Sequence, residues 1–122
     1  MKKYIFWILL ISCQSNEADA PELITKDAQQ IGATSAVLEA EITEVGPVRP
    51  INYGFLWDIQ QDITIAGASN KHIVGETSEP KLFSIKIENL NAATSYHYRS
   101  FAANADYSKI YYGKVVTFIT LP

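Results

Sequence analysis

The chain has 122 residues, 10 basic and 13 acidic side chains and a formal net charge of −3, with a single cysteine. That length suits one domain with a proper core. The cations are scattered rather than gathered into a patch, which argues against a nucleic-acid partner, and one cysteine rules out a disulfide framework within the chain.

The N-terminus carries a short, ordered set of signals. Lys2 and Lys3 form a basic start, Tyr4 to Ile11 an apolar core, and Leu10-Ile11-Ser12-Cys13 closes the segment. These are the parts of a secretory signal. The apolar run is too short to cross a bilayer as a helix, which takes about 20 residues. Without Lys2 and Lys3 the remainder holds eight basic against thirteen acidic side chains, a net charge of −5. Gln14 to Ala20 is small, polar and acidic and lacks the apolar content to fold, so residues 13–20 are expected to be a flexible tether.

From Pro21 the dominant period is two. Ala36, Leu38, Ala40 and Ile42 alternate with Val37, Glu39 and Glu41, the pattern of a strand with one buried and one wet face. Gly46-Pro47 and Arg49-Pro50 break it. Tyr53, Phe55 and Trp57 line one face of the next strand, with Gly54 and Leu56 opposite. Between Ile59 and Pro80 the pattern weakens. Ile63-Thr64-Ile65 and His72-Ile73-Val74 are short strand candidates around a Gly67–Asn70 loop. Phe83, Ile85 and Ile87 alternate with Ser84, Lys86 and Glu88. Tyr96, Tyr98, Ser100 and Ala102 alternate with His97, Arg99, Phe101 and Ala103, which puts His97 and Phe101 on the outward face. A last strand is expected over Val115 to Thr120, anchored by Phe118. No useful stretch has a 3.6-residue stripe. Short strands separated by turn signals predict an all-β fold, an antiparallel β-sandwich, followed by no second domain after Leu121-Pro122.

Two resemblances extend this reading. Leu10, Ile11 and Ser12 before Cys13 resemble the lipobox of bacterial lipoproteins. The resemblance implies cleavage after residue 12, a diacylglyceryl group on the Cys13 thiol and acylation, typically palmitate, at the new amine. Several acyl chains give stable anchoring where one gives only marginal binding. It implies an outer-membrane lipoprotein of the cell envelope, on the periplasmic or the surface face. Glu17 and Asp19 loosely resemble the acidic export mark of Bacteroidetes surface lipoproteins; a solvated linker explains them equally well. Leu90, Thr94 and Tyr96 at their spacing resemble the corner of a fibronectin type III domain, an immunoglobulin-like sandwich. There a tyrosine at the start of a strand folds back onto the preceding turn. Pro21 and Thr25, Gly54-Phe55-Leu56-Trp57, Arg99 to Ala102, Gly113 and Phe118-Ile119-Thr120 extend that resemblance over residues 21–122. The turn at Asn104-Ala105-Asp106-Tyr107-Ser108 lacks the glycine usual in the family; Asn and Asp tolerate left-handed backbone and are expected to supply it.

Residues that could carry chemistry are sparse. His72 and His97 are far apart and read as surface residues rather than metal ligands. Asp58 and Asp62 are too few for a calcium loop and are expected to shape a turn. No serine sits in a Gly-rich elbow, no phosphate-binding glycine loop exists, and no catalytic group, metal or cofactor is expected. Tyr107, Tyr111 and Tyr112, with an outward Phe101, form a candidate binding surface for protein or glycan; cross-strand packing on a wet sheet face is the competing explanation. The expectation is a non-enzymatic, membrane-anchored binding or spacer module. The alternative is an accessory glycan-binding protein, and a hydrolase with an unrecognised site is weaker still.

Overall fold

The computed structural model describes residues 20–122. The expected signal 1–12, the lipidated Cys13 and the tether as far as Asp19 lie outside the described residues. Eight strands follow in order: β1 Glu22–Gln29, β2 Ala36–Glu44, β3 Ile51–Asp58, β4 Asn70–Thr77, β5 Lys81–Ile87, β6 Ser95–Ala103, β7 Ile110–Tyr112 and β8 Val116–Ile119. One antiparallel sheet has the order β1-β2-β5. The other has β4-β3-β6-β7, with β8 also paired to β6. This is the two-sheet antiparallel sandwich that the alternation implies.

The core lies between the sheets because the apolar member of each alternation points inward. Ala36, Leu38, Ala40 and Ile42 of β2 are fully buried; with Phe83 of the neighbouring β5 they pack against Tyr53 and Phe55 of β3 and Tyr96 and Tyr98 of β6 in one core. The rings interlock: Tyr53 meets Phe83 edge-on at 4.7 Å, and Tyr96 stacks on Phe118 at 5.8 Å. Such pairs add about 1 kcal/mol beyond their area. Tyr98 is buried and donates its hydroxyl to the Lys26 carbonyl of β1. Burial pushes that hydroxyl well above the usual phenol range, so it stays protonated as a donor.

Two glycines are fixed by close approach. At Gly54 a β-carbon would overlap the His72 carbonyl, where β3 and β4 shift register. At Gly113, between β7 and β8, it would overlap the Thr25 and Ser100 hydroxyls. Those hydroxyls bond each other at 3.0 Å, and Thr25 Oγ1 also accepts the Ser100 amide at 3.1 Å. The glycine gap therefore lets β1 close against β6.

The middle of the chain differs from the sequence expectation. Ile63-Thr64-Ile65 forms no strand, while β4 extends well beyond His72–Val74. The reason is that Ile63 packs its side chain inward from a loop, as described below.

The strands run alternately, so all turns fall at two ends. Ala20, the β2–β3 loop (residues 45–50), the β4–β5 turn and the β6–β7 hairpin share one end, here the loop end. The β1–β2 turn, the corner before β6 and the C-terminal residues share the other. That far end is tied by backbone bonds: the Leu90 amide to the Thr34 carbonyl, Leu121 to Gly32, and Ala93 to Leu121. The Tyr96 hydroxyl accepts the Asn91 amide at 2.8 Å, the Thr94 hydroxyl donates to the Ala92 carbonyl at 2.8 Å, and Leu90 is buried beneath. Asn89 and Ala93 take φ of 61° and 53°, so this corner turns through two left-handed residues.

Removing only the Tyr96 hydroxyl (Tyr96→Phe) leaves the ring packed and the Asn91 amide without its partner. The expected cost is about 1 kcal/mol. In thermal unfolding this reads as a fall in Tm of several degrees; an unchanged Tm contradicts the role of the hydroxyl.

Candidate functional site

Two regions outside the sandwich core gather aromatic and polar side chains: the outer face of the larger sheet and the groove at the loop end. The outer face carries Leu56 of β3, Phe101 of β6 and Tyr112 of β7. The pairing places Leu56 opposite Arg99 and Phe101 opposite Tyr112. Residues 59–69 cross this face as a strap and insert Ile63. Leu56, Ile63 and Phe101 become a second buried cluster, with Ile65, Tyr107, Ile110 and Tyr112 packed around it.

The strap is held at three points. The Arg99 guanidinium lies 4.6 Å over the Tyr112 ring and donates to the Ile63 carbonyl at 3.0 Å and the Gly113 carbonyl at 2.9 Å. The Tyr112 hydroxyl accepts the Ile65 amide at 2.9 Å. Asp58, 9 % exposed, accepts the Ile59 amide at 2.7 Å, the Gln60 amide at 3.3 Å and the Ser69 amide at 2.9 Å. The Ser69 amide above all holds its carboxyl below the usual range, against the opposing effect of burial, with Gln60 and Ile59 adding to it. Asp58 thus shapes the turn. Asp62 is exposed and makes no side-chain hydrogen bond among the described residues.

These contacts correct two expectations. Phe101 lies on the outer face as expected but is fully buried rather than exposed, because the strap covers the face that a free sandwich would leave wet. His97 is 7 % exposed, and its Nδ1 lies 2.6 Å from Thr117 Oγ1 on β8. His72 sits exposed on β4, the far edge of the same sheet. No group of three or more His, Cys, Asp or Glu side chains comes together among the described residues.

The three tyrosines do not share a surface. Tyr107 and Tyr112 are half-buried against the outer-face cluster. Tyr111, one residue along β7, points the other way and lines the loop-end groove. The β6–β7 hairpin that carries them also turns differently from expectation. Asn104 and Asp106 brace it through side chains, Asn104 Oδ1 accepting the Lys109 amide at 3.0 Å and Asp106 Oδ1 the Ser108 amide at 3.1 Å. The left-handed residue is Tyr107, with φ of 60°. A bulky residue there costs about 1–2 kcal/mol, which packing of its ring on the cluster offsets.

The groove has a volume of about 290 Å³. Val45, Pro47, Val48 and Ile51 form its apolar wall, Tyr111 and Lys109 face them from the hairpin, and Ala20-Pro21 borders it where the chain joins β1. Val48 is 64 % exposed at the tip of its loop. Arg49 fixes the loop by donating to the Gly46 carbonyl at 2.8 Å and the Ser78 carbonyl at 3.4 Å.

The sequence marks Arg99 only as a strand position and gives no sign of the groove. The signal for Arg99 was present as apolar residues on both faces of β6, the mark of a strand covered on two sides.

The strap makes a pH-dependent contribution with a definite sign. The folded carboxyl of Asp58 titrates lower than the unfolded one, so its contribution is complete above the unfolded value near 4 and is lost as pH falls through the folded value. Asp58→Asn is expected to cost about 2 kcal/mol at pH 7. In denaturant titrations the gap to wild type should narrow steadily below pH 4; a gap independent of pH contradicts the assignment.

No family model and no curated protein matches the chain. Solved structures do. The sensor domain of the anti-sigma factor RsgI4 of Pseudobacteroides cellulosolvens is similar at TM-score 0.60 and 21 % identity, over 83 % of this chain and 94 % of that one. The fibronectin type III domain of human fibronectin type III domain containing protein 3 is similar at TM-score 0.53 and 16 % identity, over 84 % and 88 %. A fibronectin type III domain from the human KIAA0970 protein gives 0.55 and 18 %, over 86 % and 77 %. At these identities the likeness is one of fold: residues 20–122 form a single fibronectin type III-like β-sandwich.

Proposed function

We propose that the protein is a non-enzymatic lipoprotein, anchored through Cys13, that presents one fibronectin type III-like module at the outer membrane as a binding or spacer element. The observation that carries this reading is an order of features. Basic start, apolar core, lipobox and Cys13 are followed by a short acidic stretch and then by a sandwich whose first strand begins at Glu22. The fold supports a module role: of the four side chains weighed for chemistry, Asp58 holds the strap and His97 bonds Thr117, while His72 and Asp62 are exposed and belong to no cluster among the described residues. A recognition role finds support in a neighbour of the same fold that is a sensor domain.

Glycan binding is the second reading, favoured by one observation: Tyr111 and Lys109 line the hairpin side of the loop-end groove together, opposite an apolar wall. A ring beside a hydrogen-bonding side chain suits a sugar. On a glycan array this reading expects binding that Tyr111→Ala removes and Tyr112→Phe keeps; no binding at millimolar sugar eliminates it.

Anchoring is tested by Cys13→Ala. The variant is expected to leave the membrane fraction or to accumulate uncleaved, with a larger apparent mass. Membrane association and mobility equal to wild type contradict the lipoprotein reading.

A further inference from the structure

We infer that the loop end of the sandwich rests on the lipid bilayer itself, with the Pro47–Val48 tip and the neighbouring Tyr111 seated in the membrane interface; this rests on the anchoring through Cys13 proposed above. Covalent reach sets the geometry. Strand direction puts Ala20, the β2–β3 loop and the β6–β7 hairpin at one end of the sandwich. Residues 13–19 extend at most about 25 Å, whatever their conformation. An acylated Cys13 therefore keeps this end within that distance of the headgroups, while the far end, with the Tyr96 corner, has no such tie.

The surface presented there suits an interface. Val48 is 64 % exposed, an aliphatic side chain at the tip of a loop between two prolines. Arg49 pins that loop to the Gly46 and Ser78 carbonyls, so the tip is held in place before contact. Tyr111 is half-buried behind it, with an apolar body and a polar tip of the kind that settles at headgroup level. A lone Val would bind a membrane negligibly from free solution. Linked by so few residues, it meets the surface at an effective concentration of roughly millimolar, so a weak preference suffices.

Charge identifies which feature of the membrane is recognised. Arg49, Lys81 and Lys109 at this end are outnumbered by Glu22, Glu44, Glu79 and Asp106. There is no cationic excess to favour anionic headgroups, unlike a polybasic membrane-binding segment. The contact is with the apolar-to-polar boundary of the bilayer and should persist on zwitterionic lipid and in high salt.

The test uses the chain from Cys13 onward, its processed form on this reading. Its single thiol is coupled either to maleimide-phospholipid in phosphatidylcholine vesicles or to a soluble maleimide-polyethylene glycol. Hydrogen exchange is compared between the two, with equal protection of β2, β3 and β6 verifying the fold in both. The expected result is at least three-fold slower exchange across residues 46–51 on vesicles, unchanged in high salt, with no change in residues 30–35 and 88–94. Val48→Asp should abolish the slowing. Exchange at the solution rate in residues 46–51 overturns the inference and leaves that surface to a soluble partner or glycan; slowing confined to the far end overturns it as well. Because the lipid is attached chemically, the outcome does not depend on whether cells acylate Cys13, and failure of the anchoring reading is seen separately in fractionation.

Discussion

Strand β6 must be buried on both faces, and the rest of the structure is arranged around that requirement. Its inward side chains, Tyr96, Tyr98 and Ala102, fill the space between the sheets, and its outward Phe101 and His97 are also withdrawn from water. An open sandwich would leave Phe101 wet. The strap from residues 59 to 69 prevents this, and Arg99 makes it possible by stacking on Tyr112 while bonding the strap's Ile63 carbonyl. The planar guanidinium suits this combination: one face lies on a ring while its edge donates to two carbonyls. The polar backbone that crosses an apolar surface is thereby satisfied, and no buried side-chain nitrogen or oxygen among the described residues lacks a partner.

That arrangement decides which parts of the molecule remain free to recognise anything. The far end is closed by the tyrosine corner, by Leu121 and Gly32, and by Thr120, whose hydroxyl bonds the Asn91 carbonyl at 2.6 Å and accepts the Thr94 amide. The outer face of the larger sheet is covered. Two of the three hairpin tyrosines are committed to that cover. Open surface remains at the loop end, where Tyr111 and the Val48 tip border the groove beside the start of β1, and on the outer face of the smaller sheet, where Ile24 and Leu82 are exposed. The same chain direction that builds the sandwich brings the loop end next to Ala20, so under the proposed anchoring it is the end nearer the membrane.

The sandwich was legible in the sequence because its core strands are wet on one side or locally marked. Ala36 to Ile42 and Phe83 to Ile87 alternate cleanly, and the Leu90–Thr94–Tyr96 spacing is a local pattern that needs no knowledge of pairing. The outer-face cluster was not legible, since Leu56, Ile63, Phe101 and Tyr112 come together only through strand register and a loop crossing. Without the register, Phe101 and His97 fall on a face that an ordinary sandwich exposes. The hairpin shows a similar limit. Asn104 and Asp106 were visible as turn residues, yet the left-handed position falls on Tyr107, because packing of its ring outweighs its backbone preference. The groove, too, is assembled from three separated segments, none of which signals a site by itself.

If this sandwich is carried on a lipid attached to Cys13, as proposed, the lipid is visible in the mass of the protein isolated from its own membranes. Intact-mass measurement should give a chain that begins at Cys13 and carries the added mass of a diacylglyceryl group, with or without a further acyl chain. A chain that still begins at Met1, or one that begins elsewhere with a free Cys13 thiol, would contradict the claim.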